Sequence, residues 1–232
     1  MYVIVTGASK GIGKAIALRF AEAGHHLVIC SRDKEKLEAS ALEIKNLNPS
    51  VEVHTMAVDL SLQTGAEAFA AFCLEKGAVD ILVNNAGIYL PGTCISEPDG
   101  ILESMMNANL YSAYHLTRKL VPGMIKNKQG HIFNICSTAS LRAYEGGGGY
   151  SISKFALHGF TINLRHELKP HGIKVTAVLP GAVMTDSWGD FDNSQGRIME
   201  ASDIAEMVFA ASLLSPQAVV DQIVFTPQLG EL

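Results

Sequence analysis

The sequence has few of the residue types that mark metal-binding, disulfide-rich or nucleic-acid-binding proteins. Its four cysteines are scattered at positions 30, 73, 94 and 136 without a Cys-x-x-Cys pair, so neither a disulfide framework nor a zinc site is predicted. The eight histidines also lack the spacing of metal ligands, and we expect no bound metal. Charged residues make up 18% of the chain, and the net charge is -5 without a basic block, which argues against a nucleic-acid partner.

Long apolar runs are missing too. No stretch approaches the ~18 uninterrupted apolar residues of a membrane-spanning helix. The apolar start at residues 2–5 has the length of a strand and lacks a basic leader or a cleavage site. We therefore expect a cytoplasmic protein with no membrane partner.

The chain does contain a regular alternation of short apolar runs and longer amphipathic stretches, and 48% of its residues are hydrophobic. The short runs predict seven strands, at about 2–6, 27–30, 51–58, 80–84, 131–135, 174–179 and 222–225. The longer stretches predict six main helices, at about 11–23, 33–47, 62–76, 97–121, 150–168 and 203–214. Strands that alternate with helical crossovers form parallel sheets covered on both faces. The prediction is therefore an α/β fold with a doubly wound seven-stranded parallel sheet, in a single domain over residues 1–232.

Three glycines directly follow the first predicted strand. Gly7, Gly11 and Gly13 have the spacing G-x-x-x-G-x-G and lead into a predicted helix. Without Cβ atoms the chain can turn sharply, bring its amides close to a pyrophosphate and pack the helix tightly on the sheet. The amino end of the helix adds unpaired N–H groups and a positive dipole end. The pattern and its position predict a dinucleotide-binding site.

The end of the second predicted strand bears on which dinucleotide is bound. NAD-binding proteins usually carry Asp or Glu here for the ribose 2′-OH, whereas a 2′-phosphate needs a cation. This chain has Ser31 in place of the acid, Arg32 beside it, and Lys10 in the glycine loop. The alternative is that Arg32 and Lys10 are only solvated surface charges. Two cations and a missing acid favour NADP(H).

A tyrosine and a lysine lie four residues apart at the end of STASLRAYEGGGGYSISK, residues 137–154. On a helix Tyr150 and Lys154 share a face, where the ammonium favours the phenolate form and suits the phenol to acid–base catalysis. Ser137 begins the segment and completes a trio that can move a proton. Chance spacing on a helix is the alternative, and other hydroxyl side chains nearby compete for these roles: Ser140, Ser151 and Tyr144.

Several motifs occur in an order that is typical of one enzyme family. They are TGASKGIG at 6–13, Asp59-Leu60, NNAG at 84–87, Asn109, Ser137, Tyr150-x-x-x-Lys154, and Pro180-Gly181 followed by Thr185. On these motifs the chain resembles the short-chain dehydrogenase/reductase family, in its compact single-domain branch, from residue 2 to its end. PGAVMTDSWG at 180–189 and the ending VVDQIVFTPQLGEL look like bacterial sepiapterin-reductase-like members.

The resemblance implies a Rossmann-type fold, a bound NADP(H) and a set of site residues. The implied catalytic residues are Asn109, Ser137, Tyr150 and Lys154. The implied cofactor contacts are Gly7, Ser9, Lys10, Gly11, Ile12, Gly13, Ser31, Arg32, Asp59, Leu60, Asn85, Ala86, Gly87, Tyr150, Lys154, Pro180, Gly181, Val183 and Thr185. Alternative explanations remain for two of these motifs, because NNAG also suits a strand-ending turn and Asp59 also suits a helix N-cap, for which Ser61 competes.

The resemblance also implies a reaction, in which a hydride passes from NADPH to a carbonyl carbon in a reversible reduction. Tyr150 would donate the proton, and Ser137 would hydrogen-bond the carbonyl oxygen. Lys154 would hold the nicotinamide ribose, and Asn109 would anchor a water that relays protons.

The substrate is less well defined by the sequence. A lid at about 182–201 with Trp188, Phe191 and Ile198 predicts a small apolar or aromatic substrate, and the alternative is that these residues pack onto the core or a subunit. Sepiapterin/pteridine reduction and 3-oxoacyl-thioester reduction stay open, as does a non-catalytic NADP(H)-binding protein. A pterin would need an acidic anchor, for which the candidates are Asp186, Asp190 and Asp192.

Two further expectations concern mobility and assembly. The run of four glycines at 146–149 is unusual, and we hypothesise that it lets a loop close over bound ligand. The family resemblance implies a homodimer or homotetramer formed through the helices at about 97–121 and 150–168.

Overall fold

The strands lie where the apolar runs predict them. The computed structural model describes residues 1–185 and 188–231, and in it the strands are β1 (Tyr2–Thr6), β2 (His26–Ser31), β3 (Val53–Ala57), β4 (Val79–Asn84), β5 (His131–Ile135), β6 (Lys174–Pro180) and β7 (Gln222–Phe225). They form a seven-stranded sheet in the order β3-β2-β1-β4-β5-β6-β7, with every neighbouring pair parallel. The predicted doubly wound, Rossmann-type sheet is confirmed.

Helices connect the strands and cover both faces of the sheet. They are α1 (Gly11–Glu22), α2 (Lys34–Leu47), α3 (Gln63–Lys76), α4 (Ile101–Met106), α5 (Ser112–Asn127), α6 (Gly148–Leu168) and α7 (Ala201–Ser212), with short 3-10 turns at Thr138–Ser140 and Lys169–His171. None of the helices in the described part of the chain is both long and apolar enough to cross a membrane.

Successive residues of each strand pack on opposite sides of the sheet, which produces two hydrophobic layers. Val3 and Val5 of β1 belong to the layer under α1, α2 and α7, with Phe20 at its centre. Ile4 points into the opposite layer, under α3, α5 and α6, which contains Phe69. Both layers are inaccessible to solvent at these positions, since Val3, Ile4 and Phe20 are 0% exposed.

The predicted helix at 97–121 is the largest departure from expectation. Helical structure begins only at Ile101, passes through a π-helical turn at Asn107–Tyr111, and continues to Asn127. Pro122 lies inside α5 on its exposed side, where solvent can hydrate the carbonyl that loses its donor to the proline ring. The helix therefore runs past the proline at which the sequence suggests an end.

The sheet has two halves, β1-β2-β3 and β4-β5-β6-β7, and each extends outward from the centre of the sheet. The strand order therefore reverses between β1 and β4. Ligands of open parallel sheets bind in the crevice at the carboxyl ends of the strands at such a switch point. Gly7 and Ala86 follow these two strands, and a Cβ placed on Gly7 would lie 3.0 Å from the Cα of Ala86. The topology thus brings the glycine loop and the NNAG segment together.

Candidate active site

The glycine loop has a backbone that side chains would not tolerate. Gly7 and Gly11 have φ angles of 65° and 56°, in the left-handed region. A Cβ on Gly13 would lie 2.4 Å from Nδ2 of Asn85 and 2.5 Å from the carbonyl oxygen of Gly7. The first turn of α1 is therefore packed directly on the loop, with its amino end facing the crevice, as a phosphate-binding loop requires.

The NNAG segment holds the loop in this shape. Asn85 Nδ2 donates hydrogen bonds to the carbonyl oxygens of Thr6 and Gly7, at 2.9 and 3.1 Å. Thr6 Oγ1 in turn accepts from the backbone N–H groups of Asn85 and Ala86, both at 2.9 Å. Asn85 thus has a structural role, and it also lines the crevice with Ala86 and Gly87.

A cation and a carboxylate lie where the second and third strands end. Arg32 is exposed at the end of β2, and its charge acts on Asp59, which follows β3. Partial burial acts to raise the pKa of Asp59, but two hydrogen bonds from Ser61 and the charge of Arg32 outweigh it and lower the pKa. Asp59 forms a turn with Ser61 rather than capping α3, which begins after Leu62.

A further acid and a further cation line the same end of the crevice. Asp33 caps α2 by accepting from the backbone N–H of Lys36 at 3.1 Å. The Lys36 ammonium lies 3.7 Å from the Asp33 carboxylate. Asp33 is thus already occupied by a helix N-terminus, and Lys36 adds a positive group near Arg32.

Tyr150 and Lys154 share a face of α6, as their spacing predicts. The Lys154 ammonium lies 5.7 Å from the centre of the Tyr150 ring and donates to the carbonyl oxygen of Ile135 at 2.9 Å. Lys154 is only 6% exposed, so the cation acts on the phenol with little screening by solvent.

Ser137 follows β5 and begins the 3-10 turn. Its Oγ accepts from the N–H of Ala139 at 3.1 Å and donates to the carbonyl oxygen of Pro180 at 3.3 Å. Ser140, the alternative candidate, is 1% exposed and uses its hydroxyl to accept from the N–H of Ser137. Of these two serines only Ser137 lines the crevice.

Asn109 lies in the π-helical turn, behind the cavity lining. Its Oδ1 accepts from the N–H of Ile88 at 2.7 Å, and its Nδ2 donates to Ile88 O and to Ser153 Oγ at 3.0 and 2.8 Å. The side chain is 1% exposed, so the amide acts as a clamp between the NNAG loop and α6. A Cβ on Gly87 would meet the Asn109 oxygen at 2.8 Å and would lie 3.8 Å from Lys154 Nζ, which places the clamp next to the lysine.

Two more tyrosines line the crevice beside Tyr150. The Tyr89 ring packs edge-on against Tyr150 with 4.9 Å between ring centres. Burial, together with the neighbouring Tyr89 and Tyr150, raises the pKa of Tyr144. Tyr144 is thus poorly suited to ionise near neutral pH.

The glycine loop, the NNAG segment, the three tyrosines, Ser137 and Lys154 open into one cavity of about 1310 Å³. It runs from the glycine loop and Arg32 to Ser137, Tyr150 and Lys154, and it continues to Trp188. The volume suits a dinucleotide together with a small second molecule. The described residues contain no group of three or more His, Cys, Asp or Glu side chains arranged to hold a metal ion.

The comparisons with known proteins agree with this geometry. The sequence profile of the family described as short chain dehydrogenase matches residues 1–196. The chain belongs to the short-chain dehydrogenase family. It is 34% identical to a sepiapterin reductase of Chlorobaculum tepidum, in an alignment covering 99% of this chain and 97% of that protein.

A second relative of this short-chain dehydrogenase is an NADP-dependent 3-hydroxy acid dehydrogenase of Salmonella typhi, 35% identical over 79% of this chain and 73% of that protein. Among solved structures, a metagenomic short-chain oxidoreductase in complex with NADP is 32% identical and superposes with a TM-score of 0.86, over 98% of this chain and 97% of that chain.

Most of the residues predicted for the site line the cavity of this dehydrogenase. Those that do are Gly7, Ser9, Lys10, Gly11, Ile12, Ser31, Arg32, Asp59, Leu60, Asn85, Ala86, Gly87, Ser137, Tyr150, Lys154, Pro180, Gly181, Val183 and Thr185. Gly13 and Asn109 lie directly behind the lining, where they support it. Their individual roles stay predictions.

The segment proposed as a lid is fixed at both ends. Met184 N–H donates to Met199 O at 2.7 Å, and Met199 N–H donates to Ala182 O at 3.1 Å. Trp188 lines the cavity and packs on Phe191, with 5.2 Å between ring centres.

The acids suggested as a substrate anchor do not reach the cavity where they are described. Asp192 and Asp190 are exposed, and the Asp192 carboxylate accepts hydrogen bonds from Ser194. Asp186 lies outside the described residues. A different carboxylate, near the end of the chain, does line the cavity: that of Glu231, whose Oε2 accepts from the N–H of Ala182 at 3.3 Å.

Sequence reasoning therefore missed Asp33, Lys36, Tyr89, Ser153 and Glu231 as members or supports of the site. Lys36 could have been found, because it lies in the first turn of the helix predicted to follow Arg32. Glu231 offered no local signal, since its position depends on the fold of the chain end: Arg197 donates to the carbonyl oxygens of Gly230 and Glu231 at 2.9 and 3.1 Å.

Proposed function

We propose that this short-chain dehydrogenase reduces the carbonyl group of a small apolar or aromatic substrate with NADPH, reversibly, using Tyr150 as the proton donor. The observation that carries the proposal is the shared cavity: Ser137, Tyr150 and Lys154 line the same space as the glycine loop. A non-catalytic NADP(H)-binding protein would not need a phenol beside a buried ammonium next to its dinucleotide loop.

The cofactor is NADP(H), and the residues present fit it. The glycine loop and the amino end of α1 bind the pyrophosphate. Arg32 and Lys36 line one end of the cavity, where they would hold the 2′-phosphate, and no carboxylate stands at position 31. The solved relative that binds NADP and the Salmonella relative named as NADP-dependent support this choice.

Bound NADPH supplies the hydride. As negative charge grows on the carbonyl oxygen of the substrate, Tyr150 donates its proton to that oxygen and Ser137 donates a hydrogen bond to it. Lys154 stabilises the phenolate that Tyr150 leaves behind. Asn109, clamped to Ile88 and Ser153, fixes the turn of chain behind Lys154.

A pterin carbonyl is a second candidate substrate, because a carboxylate faces the cavity. Glu231 lines the cavity, its Oε2 accepts from the N–H of Ala182 at 3.3 Å, and its Oε1 forms an ion pair with Arg142 at 3.8 Å. A pterin presents N–H donors along one edge, which a carboxylate of this kind can accept. The sepiapterin reductase relative supports the same class.

A screen of NADPH oxidation over pterins, diketones, quinones and 3-oxoacyl thioesters tests the proposal. We expect turnover with at least one planar carbonyl compound, and a lower rate with NADH than with NADPH. A Glu231→Gln variant should lose activity on pterins selectively if the second candidate is right. Absence of turnover across all four classes with either cofactor would contradict the proposed reduction.

We also propose that the protein forms a homodimer or homotetramer through the π-helical turn, α5 and α6. Large apolar side chains are exposed there: Tyr111 is 42%, Phe155 46% and Ile162 46% exposed. Light scattering coupled to size-exclusion chromatography should give a multiple of the chain mass, and Phe155→Glu should lower it. A monomeric wild type would exclude this assembly. The cytoplasmic location stays a prediction.

A further inference from the structure

The carboxylate of Glu97 is wedged against the glycine run at residues 146–149. Its Oε2 accepts a hydrogen bond from the N–H of Gly149 at 3.1 Å, at the amino end of α6. That end carries the positive pole of a 21-residue helix, so the contact is electrostatically favourable as well as hydrogen-bonded. Glu97 thus holds the turn of helix on which Tyr150 lies.

Larger side chains would not fit at these glycines, because the Glu97 carboxylate and the segment that carries it lie against them. A Cβ on Gly148 would be 2.7 Å from Glu97 Oε2 and 2.7 Å from Gly92 O, and one on Gly149 would be 2.9 Å from Glu97 Oε1. Gly92 N–H also donates to Gly146 O at 3.1 Å. These contacts favour a closely packed junction over a hinge that is free to move.

The segment that carries Glu97 also shapes the cavity. Tyr89 and Leu90 line it a few residues earlier, and Tyr89 packs on the Tyr150 ring. Glu97 N–H is itself fixed by a hydrogen bond to Thr93 O at 2.9 Å. The Glu97 carboxylate therefore connects the segment that lines the cavity to the first turn of α6, which carries Tyr150.

We propose that Glu97 is a positioning residue for Tyr150, acting through its hydrogen bond to the amino end of α6. The inference rests on the proposed function, since it concerns the residue that donates the proton. Without this contact the first turn of α6 loosens, and the phenol hydroxyl is less often at the position where it meets the carbonyl oxygen. Small displacements of a catalytic group lower kcat more than they lower cofactor binding.

The variants that test the proposal are Glu97→Gln, which keeps an acceptor oxygen, and Glu97→Ala, which removes it. Glu103→Ala is the matched control, because Glu103 is an exposed acid in the first turn of α4. The first readout needs no substrate: hydrogen exchange at the amides of residues 147–152. We expect exchange at least about ten-fold faster in Glu97→Ala and nearly unchanged in Glu97→Gln and Glu103→Ala.

The second readout is steady-state reduction of phenanthrenequinone, with the Kd of NADPH measured by fluorescence. Glu97→Ala should lower kcat at least about ten-fold while the Kd of NADPH stays within about two-fold, and Glu97→Gln should recover most of kcat. Unchanged exchange in Glu97→Ala would overturn the proposal. So would faster exchange with unchanged kcat, which would show a purely structural contact. If the wild type reduces no carbonyl compound, the proposed function fails, and the exchange measurement alone decides whether Glu97 fixes the helix start.

Discussion

The buried position of Lys154 determines how strongly its ammonium interacts with Tyr150. Burying an ammonium is costly unless it is paired, and here the carbonyl oxygen of Ile135 and the face of Tyr150 are its neighbours. Lys154 is thereby held next to the phenol. The same residue types at the same spacing on an exposed helix would interact far more weakly.

Arg32 is the residue that should determine the choice of dinucleotide. We expect Arg32→Asp to lower the ratio of kcat/KM for NADPH to that for NADH by at least about ten-fold, because a charged hydrogen-bond donor to the 2′-phosphate is replaced by a like charge. Steady-state kinetics with both cofactors measure the ratio. Lys34→Asp is the control, since Lys34 is exposed and outside the cavity lining. An unchanged ratio in Arg32→Asp would show that the 2′-phosphate is read elsewhere.

His131 should make the folded protein sensitive to acid. Burial, and secondarily the charge of Lys174, lowers the pKa of this histidine from 6.5 to about 3. Between these two values the unfolded chain binds a proton that the folded chain does not, so stability is lost as the pH falls through this window. The contribution is a slope of up to about 1.4 kcal/mol per pH unit.

Urea unfolding at several pH values within that window measures this slope. In His131→Gln the fall in unfolding free energy per pH unit should be smaller than in the wild type. His25 and His158, whose pKa values burial also lowers, stay present in both proteins. Identical slopes would mean that His131 is not kept neutral by the fold.

At the scale of elements, the loops at the strand ends depend on one another. The glycine loop after β1 is held by Asn85 after β4, and the NNAG loop is held by Asn109 in the π-helical turn. The glycine spacing and the NNAG motif could be recognised from sequence because each has a local requirement. The π-helical turn could not be recognised in this way, because Asn109 is buried by hydrogen bonds to Ile88 and Ser153, which are distant in sequence.

Gly13→Ala tests the packing of α1 on the glycine loop. The added methyl group collides with the carbonyl oxygen of Gly7, so we expect a loss of about 1–3 kcal/mol in unfolding free energy and weaker NADPH binding. Gly123→Ala is the control, since a Cβ there meets nothing within 4 Å and should stabilise α5 by up to about 1 kcal/mol. Urea denaturation and NADPH fluorescence measure the two effects. Equal behaviour of the two variants would contradict the close packing at Gly13.

Over the whole molecule, the sheet order determines what the cavity can hold. The order reversal between β1 and β4 places the dinucleotide loop and the Ser137–Tyr150–Lys154 trio on one crevice, and these parts were predictable from the sequence. Tyr89 and Glu231 also line the cavity, yet neither belongs to a motif, because each reaches the cavity through the path of its own loop. The reaction class can thus be predicted from local sequence motifs, whereas the choice of substrate depends on residues that long-range packing brings to the cavity.

The central claim is that Tyr150 donates the proton while the rest of the cavity binds NADPH. Its most direct test is a comparison of Tyr150→Phe with the wild type and with Tyr144→Phe, using the best carbonyl substrate from the screen. We predict that Tyr150→Phe lowers kcat at least about 100-fold with the Kd of NADPH nearly unchanged, while Tyr144→Phe keeps most of its kcat. Retained turnover in Tyr150→Phe would contradict the assignment.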